Sequence, residues 1–141
     1  MLLQLSIGAI LVVMNAILHV VALDMINHKV RSVVALHAVP LRTRIRIPLL
    51  IFATLATFVS HIAQIWLWAG CYLLFGEFRE LEPALYFSAV VFSTLGFGDI
   101  VASQEWRLMA SCEAAGGMIL FGLSTAFLFE VLNEILRRRR P

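Results

Sequence analysis

The stretch Thr94-Leu95-Gly96-Phe97-Gly98-Asp99 decides how the rest of the chain is read. It follows a short amphipathic run, Glu82 to Ser93, and lies between two long apolar segments. Glycine takes positive φ at little steric cost, so Gly96 and Gly98 let a strand turn successive carbonyls to one side. Four such strands around an axis would form rings of oxygens that replace the water around a dehydrated cation. Thr94 adds a hydroxyl beneath the carbonyls, and Asp99 caps the outer mouth of the ladder.

The composition places this motif in a membrane. Of 141 residues, 61% are apolar and 14% charged, too few charges to cover a soluble domain of this size. A hydropathic run of roughly 20 residues spans a bilayer. Three are present: Leu2 to Leu23, Ile47 to Phe75 and Leu108 to Leu132. The expected fold class is an all-α membrane protein, with three transmembrane helices and a re-entrant helix and filter between the second and third. The first run lacks the basic start and small-residue cleavage site of a signal peptide. No soluble domain, long linker or internal repeat is expected.

The net charge is only +2, and its placement is what informs. Lys29, Arg31, Arg42, Arg44 and Arg46 lie between the first two runs, and Arg137 to Arg140 follow the third. The positive-inside rule puts both regions in the cytoplasm, so the N-terminus and the 94–99 segment face outside a cell membrane. Lipid headgroups account for the arginine run, and no nucleic-acid partner is expected.

Along the chain, residues 1–23 form the first span. Residues 24–46 follow as a cytoplasmic amphipathic helix and basic loop: Asp24 ends the apolar run, Met25 to Val39 lie on the inner leaflet, and Pro40 stops the helix. Pro48 opens the second span, where a first turn tolerates proline. Span two carries Ser60, His61 and Gln64 near mid-membrane and Tyr72 at interfacial depth. Pro83 begins a helix too short to cross, whose C-terminal carbonyl end would favour a cation. Asn15 and His19 of span one, with Ser60, His61 and Gln64, are polar glue between spans one and two. A proton-sensing role for His19 or His61 is the less favoured alternative. Cys71 and Cys112 have no metal spacing and are expected as free thiols, a disulfide being the alternative.

From these residues the chain resembles the pore region of tetrameric potassium channels, the bacterial two-helix kind in particular. The resemblance covers residues 47–137: outer helix 47–75, pore helix 83–93, filter 94–99 and inner helix 106–136, with 137–141 a basic tail. The N-terminal span lies outside it. It implies a homotetramer, in membrane lipid, that passes K⁺ and needs no organic cofactor. Thr94, Leu95, Gly96, Phe97, Gly98 and Asp99 would bind or steer the ion, K⁺ lying against Thr94 to Phe97. Phe121-Gly122-Leu123-Ser124-Thr125-Ala126 resembles the family's inner helix. That register puts the gating hinge at Gly116 and Gly117, and Phe121, Thr125 and Phe129 on the cavity face; Phe129 is expected as the gate, the filter being the alternative. Leu95 stands where the family usually has valine or isoleucine, and Phe97 where tyrosine is usual. Tyr86 and Phe87 replace a tryptophan pair, and Ala102 stands where proline is common.

Glu113 lies several residues inside span three, where a carboxylate is expensive unless it faces protein or water. It is expected to support the filter by bonding Ser88, Ser93 or a backbone amide. Glu130 and Glu134 would draw cations to the inner mouth or pair with Arg137 and Arg138.

A non-selective cation channel and a non-conducting pore-like subunit keep the same fold. An intramembrane aspartyl protease also carries Gly-x-Gly-Asp but needs a second facing aspartate, and Asp24 is the only other one. Enzyme activity is therefore not expected.

Overall fold

The computed structural model describes residues 2–37 and 41–136. Val39, Pro40 and the Arg137–Arg140 run lie outside the described residues. Among the described residues four helices follow one another: α1 (Leu2–Ala35), α2 (Thr43–Leu74), α3 (Leu81–Phe92) and α4 (Arg107–Leu136). α1, α2 and α4 are each long and apolar enough to cross a membrane, and α3 is not. The protein is an all-α membrane protein.

α1 does not stop at Asp24. It runs unbroken for 34 residues, about 51 Å at 1.5 Å per residue. Its buried side is a single stripe: Gly8, Leu11, Asn15, His19, Leu23, Ile26, Val30 and Val34. The steps of three and four pass across Asp24, which stays exposed. No proline or glycine interrupts the helix after Gly8. The amphipathic segment is thus the far end of the same helix, packed against α2 and α4.

α2 also begins earlier than expected, at Thr43, which puts Pro48 inside the helix rather than at its opening. α3 starts at Leu81, so Pro83 falls in its first turn, where the missing N–H is unneeded.

Two apolar clusters hold the helices. One joins Leu23, Ile26, Val30 and Val34 to Leu49, Ala53, Val131 and Ile135. The other joins Leu11, Trp68, Tyr72, Phe87, Phe92, Met109 and Leu120. Between them in sequence order on α1, α2 and α4 lies a polar layer: Asn15, His19, His61, Gln64 and Ser124, all buried. α1 packs more extensively on α4 than on α2. Small residues permit that approach: Gly8 meets Cys112, and Gly116 meets Val12.

Candidate functional site

The Thr94–Asp99 segment leaves α3 through a specific helix ending. Thr94 N–H donates to Val91 O at 2.9 Å, and Leu95 N–H to Val90 O at 3.0 Å. This is the Schellman pattern, whose first residue past the cap takes the left-handed conformation and is usually glycine. Here that residue is Thr94, at φ 60°. A branched side chain there costs about 1–2 kcal/mol.

The left-handed conformation then recurs at every second residue. Gly96 has φ 58° and Gly98 φ 80°, while Leu95 and Phe97 stay at negative φ. Such alternation turns successive peptide groups in step, so that one edge of the segment carries groups of one kind. A Cβ built on Gly96 or Gly98 would meet nothing within 4 Å. Glycine is therefore required there for conformation, not for space. All six residues are exposed on the single chain.

Three sets of contacts fix this segment, and only part of one was expected. Tyr86 of α3 donates its hydroxyl to Asp99 Oδ2 at 2.6 Å. That bond holds the Asp99 carboxyl below its ordinary range. Phe97 lacks a hydroxyl, so the tie between α3 and the segment's end comes from the α3 side. Further out, Glu77 accepts from Ser103 N–H at 2.6 Å and from the Ser103 hydroxyl at 2.7 Å. This carboxylate steadies the loop in which Ala102 stands.

Glu113 lies wholly buried behind α3. Its Oε1 is 2.5 Å from the Ser88 hydroxyl and its Oε2 accepts from Tyr72 at 2.7 Å. The Ser88 hydroxyl also lies 3.0 Å from Ile65 O, and its one proton serves one of those two oxygens at a time. Ser93 is not part of this group; it bonds Ala89 O. Tyr72, expected at interfacial depth, is fully buried within the protein. Its four-residue spacing from Trp68, on the buried face of α2, was the signal for that.

Gly117 has a packing role. A Cβ there would sit 2.1 Å from Phe92 O, so α4 crosses the end of α3 only because residue 117 is glycine. α4 is unbroken through Gly116 and Gly117. Phe121 rests against His61 and Phe92, with ring centres 4.5 and 5.6 Å away. Thr125 and Phe129 remain exposed. Glu130 and Glu134 line a small cavity with Arg31 and Asn27 of α1.

The polar layer ties three helices rather than two. His19 Nε2 and His61 Nε2 each lie 2.9 Å from Ser124 Oγ, and the two rings stack at 4.7 Å. Ser124 also donates to Leu120 O at 2.9 Å. A carbonyl can only accept, so both imidazoles present N–H at Nε2. His19 Nδ1 then accepts from Gln64 at 3.0 Å, and Ser60 lies 3.1 Å from it. Asn15 joins none of these bonds. Both cysteines are free.

Residues 47–134, well over half of the chain, match the family model described as Ion channel. The chain belongs to that family. It is also similar to "Uncharacterized membrane protein YdjJ" of Bacillus subtilis (strain 168), 30% identical over 105 residues. That match covers 65% of this chain and 29% of the relative. A second relative is "Putative potassium channel protein RPA4233" of Rhodopseudomonas palustris (strain ATCC BAA-98 / CGA009). It is 30% identical over 64 residues, covering 45% of this chain and 16% of the relative. The chain thus spans less than a third of the length of the curated relatives it matches. No solved structure matches it significantly. The family match begins at residue 47 and leaves α1 outside.

Proposed function

We propose that the protein is a K⁺-selective channel that conducts passively through an axial pore formed by four copies of this chain. The observation that carries this is the alternating left-handed backbone at Thr94, Gly96 and Gly98 in an exposed segment. Thr94 sharpens it. Glycine would suit that position better, so a threonine held there at a cost is explained by what its hydroxyl does. In this reading the carbonyls of Thr94 to Phe97 and the Thr94 hydroxyl replace the water shell of K⁺, and Asp99 concentrates cations at the mouth. Glu113, Ser88 and Tyr72 brace α3 from behind, and Tyr86 braces the far end.

One chain supplies one such strand, so a closed ring requires symmetric copies. Ring closure would cover the filter residues that are exposed on one chain. Phe129 would then be the constriction at the inner mouth, and Gly116 and Gly117 the point about which α4 bends. The basic residues at the α1–α2 turn support a cell-membrane topology with the N-terminus outside. Against the protease alternative, Asp24 adjoins Leu23 of one apolar cluster and Asp99 adjoins Ile100 beside the other.

The test is cross-linking combined with K⁺ flux from liposomes. Cross-linking should stop at a four-chain species, and Thr94→Gly should assemble at least as stably yet lose ion discrimination. A conducting form that is only monomeric or dimeric, or a Thr94→Gly protein with unchanged discrimination, would overturn the proposal.

A further inference from the structure

α1 lies outside the family match, and the groove it forms with α2 has no part in the site described above. Leu18, Met25 and Ile26 on α1 face Phe52, Ala56 and Val59 on α2 across an open cavity of about 530 Å³. A second cavity of about 280 Å³, lined by Val33, Ile45 and Pro48, continues toward the α1–α2 turn. Lys29 and Phe52 line both, so the two make one trough. Its walls are almost wholly apolar: Leu18, Met25, Phe52 and Val59 are each between 42% and 68% exposed.

From this we infer that the α1–α2 groove is a binding site for an anionic phospholipid, with an acyl chain along the trough and the headgroup phosphate at Lys29.

Depth supports it. Lys29 lies six residues past Leu23, about 9 Å farther along the helix than the end of the uninterrupted apolar run. An apolar trough that runs to a cation just beyond the hydrocarbon region has the outline of a lipid: chain below, phosphate above. Charge supports it too. Arg42, Arg44 and Arg46 stand at the same end of α2, next to Ile45 and Pro48 of the trough wall. The acidic residue nearest in sequence, Asp24, is five positions earlier and about 140° around α1. Same-sign charges thus gather at one headgroup depth, and Lys29 is the cation that lines the trough itself; one such charge favours an anionic lipid about fivefold. Toward its deep end the trough is lined by Ser60, which also bonds within the His19–Gln64 layer. A bound chain would close that layer off from the bilayer.

Native mass spectrometry of the purified assembly, titrated with dioleoylphosphatidylglycerol or dioleoylphosphatidylcholine, tests this. Phosphatidylglycerol should bind about fivefold more tightly, and inorganic phosphate should not displace it. Lys29→Gln should erase that preference and Lys29→Arg keep it; Lys29 is exposed, so both changes leave folding intact. Ala56→Trp, which fills the trough, should weaken both lipids. Equal binding of the two lipids, a preference that survives Lys29→Gln, displacement by phosphate alone, or a trough covered by a second copy of the chain and insensitive to Ala56→Trp would each overturn the inference.

Discussion

Gly117 lies so close to Phe92 that a Cβ on the glycine would stand 2.1 Å from the phenylalanine carbonyl oxygen. This contact sets how α4 crosses the end of α3, and so where the Thr94–Asp99 segment begins. Backbone cannot yield as a flexible side chain can. Gly117→Ala should therefore destabilise the protein by at least about 1–3 kcal/mol, read as a lower melting temperature of the purified assembly. Gly122 is the control: a Cβ there meets nothing on its own chain, and Gly122→Ala should be neutral or stabilising by up to about 1 kcal/mol. If Gly117 served only as a hinge, its alanine variant would alter gating at unchanged stability.

The Glu113 group is satisfied by shape and bonding. In Glu113→Gln the side-chain amide can donate to Ser88, whose proton turns to Ile65 O, while the amide oxygen still accepts from Tyr72. That variant should keep its stability. Glu113→Leu leaves the buried Tyr72 hydroxyl without an acceptor and should cost about 1–3 kcal/mol. Chemical denaturation in detergent separates the two, and equal loss in both variants would show that charge matters instead.

Asp99 carries a pH prediction with a definite sign. The Tyr86 hydroxyl bond holds its carboxyl below the ordinary range, so the charge is present above that range and persists into acid until the lowered value is crossed. Cation conduction driven from the Asp99 side should resist acid accordingly. Tyr86→Phe removes the bond, and the midpoint of acid inhibition should move up in pH. A midpoint that does not move would detach Asp99 from ion entry.

Ser124 is the hub of the polar layer. Ser124→Ala leaves two buried imidazole N–H groups without their acceptor, at a cost of about 1–3 kcal/mol for each that finds no other. Nitrogen NMR of labelled histidines should report the Nε2–H tautomer for both His19 and His61 in the parent chain. An Nδ1–H form at either would contradict the hydrogen-bond assignment.

What was legible in the sequence was local. Long hydropathic runs gave the three long helices, Pro83 and the short apolar run gave α3 within two residues, and the glycine pair gave the positive-φ positions Gly96 and Gly98. The continuity of α1 was legible too, in the stripe from Gly8 to Val34, but a single exposed Asp24 was weighted as a stop. Helices tolerate a charge on an outward face, and only the buried period decides. The rest depended on long-range pairs. Tyr86 with Asp99, Tyr72 with Glu113, and Ser124 with His19 are 13, 41 and 105 residues apart. No spacing rule links such positions. Ser88 was found because a buried carboxylate demands a donor, yet the same demand could not choose between Ser88 and Ser93.

The central claim is that the alternating backbone from Thr94 to Gly98 selects K⁺. It is tested most directly by the reversal potential of the reconstituted protein with K⁺ on one side of a planar bilayer and Na⁺ on the other. The account predicts a potential displaced strongly toward the K⁺ equilibrium value, and loss of that selective current in Gly96→Ala, whose side chain opposes the φ of 58°. A reversal near zero in the parent chain, or a Gly96→Ala protein that keeps both current and selectivity, would contradict it.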